Sequence, residues 1–228
     1  NNLPAWGQDV VRFKAYVERV RPPMVKFIDT GFNDDAIAYA VARGSSVVGR
    51  IVFDDGDQPI DNDAKRKIAK IVESARKHPL IDWWEFYNEA YEKGDEMAKY
   101  GERSIEFMQA MEAIGKKALI GGFSTGTPDE SQWPRFRPAV EYAWRNGHGI
   151  CVHQYSAPDM RYMAGLNQWN NENPRLNDPV LDPKAEGWHT LRHRKALKVF
   201  EAWGVSARFF IGESGNDDIQ QRPGGPGK

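Results

Sequence analysis

The sequence predicts a parallel α/β fold of the (β/α)8-barrel type, and three observations predict it. Apolar, aromatic or β-branched runs of strand length alternate with helical stretches along the whole chain. The runs are nearly continuous in apolar character, as strands are when both faces are covered. None is followed by a Gly-rich dinucleotide or phosphate fingerprint, which argues against a doubly wound nucleotide-binding sheet.

The elements follow in order. Val10, Phe13, Val17 and Val20 have helical spacing over 9–20, with Asp9 as the cap. PPMVKFID (22–29) is a strand, opened by prolines that cannot continue a helix. A helix over 33–43 stops at Gly44, and SVVGRIVF (46–53) is the next strand. Residues 62–77 are helical up to Pro79; the basic run DAKRKIAK within them reads as a solvated helix face. LIDWWEFYN (80–88) is a strand, and 94–114 an amphipathic helix with Met97, Ile105, Met108 and Met111 toward the core. ALIGGFS (118–124) is a strand, and the Gly-rich GGFSTGTP reads as a turn at its end. A helix over 131–146 leads to the strand GICVHQY (149–155). A long loop, roughly 157–185, is rich in Asn, Pro and Trp; a helix over 186–203 and the strand RFFIGE (208–213) complete the pattern. Residues 214–228 are expected as loop or disordered tail.

A complete barrel has eight strands in about 250 residues. Here 228 residues show six strands, beginning with a helix and stopping after a strand. The expectation is one domain over 1–228, a barrel lacking its first and last strands. The formal net charge of -1 comes with no basic stripe, which disfavours nucleic acid as partner. No apolar run reaches membrane-spanning length. The start NNLPAWGQD has no signal-peptide pattern, as a mature secreted chain would also lack one. The lone cysteine, Cys151, cannot form an internal disulfide and reads as a buried structural thiol.

In a parallel barrel the chemistry sits at the C-terminal ends of the strands. Glu89 and Glu213 fall there, each after an aromatic-rich strand, with Asp29, Asp54, Asp55, His153 and Tyr155. His153 and Tyr155 share one strand face, as do Glu85, Tyr87 and Glu89. Glu85 lies among Trp83, Trp84 and Phe86, and a buried carboxylate there requires a partner, for which Lys26 is the candidate. His189 and His193 are four apart but have no third ligand nearby, and read as surface histidines.

EFYNEA resembles the strand-four segment of the clan of retaining glycoside hydrolases built on (β/α)8 barrels, the cellulase-like superfamily. VHQYS is similar to its strand-six His-x-Tyr pattern, and FFIGESG to its strand-seven segment. VKFI resembles the strand-two segment that carries a basic residue inside the barrel. With one strand missing at the front, Glu89 and Glu213 end strands four and seven, the clan's separation. The chain departs from the pattern at Ala90, where proline is common, at Lys26, where arginine is usual, and at FDDG, which lacks a histidine.

The resemblance implies double displacement on a β-linked oligo- or polysaccharide, without cofactor or metal. Glu213 would be the nucleophile and Glu89 the acid/base, its pKa raised by Trp83, Trp84 and Tyr87. Asn88 would bind the sugar 2-hydroxyl, Tyr155 would orient Glu213, and His153 and Lys26 would contact substrate or tune the carboxylates. Trp133, Trp169 and Trp188 lie in or beside loops after strands, where indoles stack on sugars, Trp188 being the chosen candidate. Three alternatives stay open: a carbohydrate-binding barrel without turnover, an inactive glycosidase fragment, and a metal-dependent hydrolase or lyase using Asp29, Asp54, Asp55 and His153.

Overall fold

The computed structural model describes residues 9–29, 32–53, 63–90, 95–156 and 190–216. Six strands form one parallel sheet: β1 (Met24–Ile28), β2 (Ser46–Arg50), β3 (Trp83–Glu85), β4 (Lys117–Phe123), β5 (Gly149–Ser156) and β6 (Arg208–Asn216). Their spatial order is their chain order, and every adjacent pair is parallel. Six helices lie between and before them: α1 (Val10–Val20), α2 (Asp34–Ala42), α3 (Ala64–Lys77), α4 (Asp95–Glu112), α5 (Trp133–Asn146) and α6 (His193–Ala202). This is the repeating unit of a (β/α) barrel, present as an incomplete barrel.

The boundaries have local causes. Asp9 and Asn33 cap α1 and α2 by accepting from the backbone amides of Arg12 and Ala36, each at 3.0 Å. α5 carries a proline in its first turn and ends at Gly147 in the left-handed conformation. β3 is shorter than its apolar run, and the chain beyond it still tracks β4: Phe86 N–H donates to Leu119 O at 3.1 Å and Glu89 N–H to Gly122 O at 2.7 Å. β6 runs on to Asn216, three residues beyond its expected end. Of the helix expected over 186–203, His193–Ala202 is observed, while 186–189 and the loop 157–185 lie outside the described residues.

The main core lies between sheet and helices. Phe27, Trp84, Phe86, Tyr100, Phe107, Phe123, Trp133, Phe136 and Phe200 are all buried in it. Phe86 stacks on Phe107 at 4.5 Å between centroids, and Phe136 meets Tyr100 and Phe123, each at 5.3 Å. A second, small cluster fills the barrel interior: Val48, Leu119 and Cys151, with Met24, Trp83 and Phe210 against them. Trp83 and Phe210 meet across it at 4.7 Å. Above this apolar floor the interior turns ionic.

Two expectations need correction. Lys67, in the basic run of α3, is 2% exposed rather than solvated, its ammonium 5.2 Å from the Tyr87 ring and 5.3 Å from that of Phe53. The turn expected from GGFSTGTP does follow β4, closed by Thr127 N–H donating to Ser124 O at 3.0 Å, but the pair Gly121–Gly122 lies inside the strand as a bulge, both residues at positive φ, where the pairing with β5 shifts register.

Candidate active site

β1, β2, β5, β6 and the segment that opens with β3 bring seven ionisable side chains together in the upper interior: Lys26, Arg50, Glu85, Glu89, His153, Tyr155 and Glu213. The sheet curls far enough for its edge strands to meet there: Lys26 Nζ on β1 lies 3.2 Å from Glu213 Oε1 on β6. Arg50 Nη1 donates to the same oxygen at 2.8 Å. The Tyr155 hydroxyl donates to Glu213 Oε2 at 2.9 Å. Glu213 is thus gripped on both oxygens, which fixes the plane of its carboxylate.

Glu89 stands opposite, at the end of the β3 segment. Its φ of 53° is left-handed, an uncommon conformation for a residue with a side chain. The β4 bulge holds it there. Gly122 accepts from the Glu89 amide, and Tyr100 on α4 donates its hydroxyl to Gly121 O at 2.6 Å. A Cβ on Gly122 would stand 2.2 Å from Tyr87 O, so only glycine permits this approach.

His153 joins the two carboxylates. Its Nδ1 lies 2.8 Å from Glu89 Oε1 and 3.8 Å from Glu213 Oε2. Single oxygens of Glu89 and Glu213 and a nitrogen of His153 all lie within 4.8 Å of one another. Below them Glu85 is fully buried, with Oε2 2.6 Å from Lys26 Nζ and Oε1 3.6 Å from His153 Nε2. The Lys26–Glu85 pair is the one expected from the cost of burying that carboxylate.

The charges tune one another. Burial would raise the Glu85 carboxyl, but His153 and Lys26 outweigh it and hold the pKa at about 2. Burial would likewise lower His153, yet Glu85, Glu89 and Glu213 together raise it. The Glu89 carboxyl is lowered, chiefly by His153. This corrects the expectation of a raised Glu89, and the cause is geometric. Trp84 points outward against Phe32, Tyr87 packs on Phe86 and Tyr100, and Trp83 sits on the floor beside Phe210. The imidazole, rather than an aromatic wall, sets the state of Glu89.

The remaining candidates separate. Asn88 adjoins Glu89, and its Oδ1 is buried with no hydrogen-bond partner among the described residues. Lys26 is engaged by Glu85 and Glu213. Asp29 accepts from Val52 N–H at 3.3 Å. Trp188, Trp169, Asp54, Asp55 and His189 fall outside the described residues. Trp133 is no sugar platform: it is 3% exposed and packs edge-on against Phe123 and Phe200. His193 is half-buried rather than a surface residue, bonded to Gln154 at 2.7 Å.

Arg50 escaped the sequence reading. It lies inside the run 46–53, read as a uniformly apolar strand, although a charge in a buried strand is the signal that flagged Glu85. β2 thus supplies a guanidinium to the same Glu213 oxygen that the Lys26 ammonium on β1 approaches.

No protein-family model matches the chain, and no curated protein sequence does. Solved structures resemble it in fold. A Bacteroides uniformis β-glucuronidase, covalently bound to cyclophellitol-6-carboxylate aziridine, superposes with a TM-score of 0.54 at 11% identity, over 92% of this chain and 22% of that one. A Pseudomonas stutzeri endoglucanase Cel5A covers 92% of this chain and 81% of its own at 12% identity, with a TM-score of 0.37. A Chromobacterium violaceum chitinase covers 72% and 56%, at 12% identity and a TM-score of 0.45. The chain spans about a fifth of the glucuronidase's length. The fold defined here is a parallel (β/α) barrel, incomplete at six strands among the described residues.

Proposed function

We propose that this chain carries the catalytic centre of a retaining glycoside hydrolase acting on a β-linked oligo- or polysaccharide. One observation carries the reading. Two carboxylates on different strand segments, Glu89 and Glu213, approach within 4.8 Å oxygen to oxygen at the mouth of the barrel. Retaining enzymes hold their carboxyl groups about 5–5.5 Å apart, and inverting enzymes about 6.5–9.5 Å, to admit a water.

Glu213 is the nucleophile. Lys26, Arg50 and Tyr155 aim its carboxylate, and it attacks the anomeric carbon as the glycosidic bond breaks. Glu89 gives its proton to the departing oxygen, then takes one from the water that releases the glycosyl-enzyme. The proton for the first step reaches Glu89 Oε1 from His153 Nδ1 along their 2.8 Å contact, since Glu89 by itself is held ionised. Asn88 Oδ1 accepts from the sugar 2-hydroxyl, which resolves its unpartnered state.

The test is hydrolysis of a panel of β-linked aryl glycosides and polysaccharides, with the anomer of the first product read by NMR. Retention in the parent, and loss of turnover in Glu213→Gln with a fluorosugar adduct on Glu213 in the parent, are the expected results. Full activity in Glu213→Gln sinks the assignment. A second reading, sugar binding without turnover, is favoured by the low pKa of Glu89, which leaves the resting acid ionised. Saturable glycan binding with no product from any substrate selects it.

A further inference from the structure

Beneath the carboxylate pair lies a second trio, Glu85, Cys151 and His153, with all three side chains buried; the proposed chemistry uses only His153, and only through its Nδ1. We propose that Glu85 Oε1, Cys151 Sγ and His153 Nε2 form a binding site for a thiophilic divalent cation, Zn2+ above all.

The geometry is the first support. Glu85 Oε1 lies 3.6 Å from Cys151 Sγ and 3.6 Å from His153 Nε2, and the three ligand atoms lie mutually within 4.8 Å. A tetrahedral zinc with bonds of about 2.0–2.3 Å separates its ligand atoms by about 3.3–3.6 Å, which the two separations from Glu85 Oε1 already match. The donor set of one thiolate, one imidazole and one carboxylate suits zinc and leaves its fourth position for water.

The second support is an unspent ligand atom. His153 is 2% exposed, yet its Nε2 has no hydrogen-bond partner among the described residues. The 3.6 Å to Glu85 is too long for one. The other nitrogen is fixed by Glu89 at 2.8 Å, the outer-shell carboxylate contact common for a metal-bound histidine. Gly212 on β6 packs its backbone directly against the trio: an added Cβ would stand 2.5 Å from Cys151 Sγ and 3.3 Å from His153 Nε2, so a side chain there would displace both ligand atoms.

Charge is the third. Lys26 bears on Glu85 through the other oxygen, Oε2, leaving Oε1 toward the thiol and imidazole. Three glutamates face the cationic Lys26 and Arg50 in this interior, and zinc would bind Cys151 as thiolate and His153 as neutral imidazole. The ion enters past Glu89 and Glu213, whose side chains are 38% and 28% exposed.

Cobalt(II) is the probe, because Cys151 is the only cysteine in the chain and any thiolate-to-cobalt charge-transfer band must arise from it. Titrating the whole chain should give that band with tetrahedral d–d absorption at one cobalt per chain, bleached by added Zn2+. Cys151→Ala and Cys151→Ser, checked for folding by circular dichroism, should lose the band. Their Zn2+ affinity should fall by more than the roughly 10–100-fold that removal of an outer-shell partner costs. No band in the parent overturns the site. So does undiminished Zn2+ binding in either cysteine variant, since the ion would then sit on Glu89, His153 and Glu213. The readout needs no substrate, so it stands or falls apart from the glycosidase reading.

Discussion

Outward from β3, Trp84 packs edge-on against Phe32 in a core of rings and methyl groups. Inward from the next residue, Glu85 meets Lys26, His153 and the Cys151 thiol. One strand thus serves two interiors with different physics. The outer layer is non-directional: its contacts are many, its members interchangeable in kind, and its stabilisation follows the apolar area removed from water. The inner layer is directional. Each charge there is stable only while its partner stays in place, because burying an unpaired ion costs several kcal/mol. The outer layer therefore holds the fold, and the inner layer spends some of that stability on a fixed array of ions.

The largest expected effect tests the outer half of this contrast. Phe136→Ala removes a fully buried ring that touches Tyr100, Phe123 and Trp133. It should cost about 3–5 kcal/mol in denaturant unfolding. That loss should be nearly independent of pH, since no ionised group is released.

Glu85→Gln should come next and behave differently. It leaves the Lys26 ammonium with Glu213 alone, at 3.2 Å. The cost should lie near the lower end of the roughly 3–5 kcal/mol for breaking a buried pair. Its pH signature is the sharper mark. Glu85 titrates at about 2 when folded against 4.5 as the ordinary value, so its stabilisation is full above about 4.5. It is lost as pH falls from there toward 2. The stability gap between parent and variant should close over that window. A gap constant with pH would mean that Glu85 stabilises by packing rather than by charge.

How far these two layers were legible in the sequence follows from the same difference. The order and type of the outer strands and helices were legible, because burial on both faces writes continuous apolar runs and amphipathic helices write their period; the bounds were less so, β3 covering only Trp83–Glu85 of an expected 80–88. Glu85 was legible because a carboxylate amid tryptophans demands a partner, and Lys26 is that partner. Arg50 gave the same signal and was absorbed into its strand. The state of Glu89 was not legible. Reading 85, 87 and 89 as one face assumed a straight strand, but β3 ends at Glu85 and the chain reaches Glu89 through a left-handed turn. The bulge that receives that turn was hidden in a Gly-Gly pair, which marks a loop as readily as a kinked strand. Such features depend on contacts between segments far apart in the chain, and local pattern carries no record of them.

His153→Gln is the third test, and it joins the two glutamates. His153 is raised above 6.5, so the stabilisation from its charge is complete below that value and lost as pH rises through the folded pKa. Glu89 is lowered, so its share is present above about 4.5 and lost as pH falls. The variant should flatten the stability–pH curve on both sides and cost about 1–3 kcal/mol at neutral pH. In the proposed reaction the two groups titrate as one unit, and the basic limb of kcat/KM follows the raised histidine. With glutamine in its place that limb follows Glu89 alone and should move to lower pH. An unmoved limb would separate His153 from the proton path.

Tyr100→Phe is the smallest change and probes the joint between the layers. The ring stays in the outer core, where it meets Tyr87, Phe123 and Phe136. Only the hydroxyl is lost, and with it the 2.6 Å bond to Gly121 O that anchors the bulge beneath Glu89. Stability should fall by about 1 kcal/mol, the usual net worth of one hydrogen bond. If the bulge serves only the fold, turnover stays proportional to folded protein. If it holds Glu89 in its left-handed seat, the loss falls on the step that needs the acid. Glycosides with poor leaving groups should then slow more than those whose aryl group departs unaided, with KM little changed. Equal slowing across leaving groups would assign the bulge to stability alone and leave the inner ions, without help from the outer layer, to hold the acid in place.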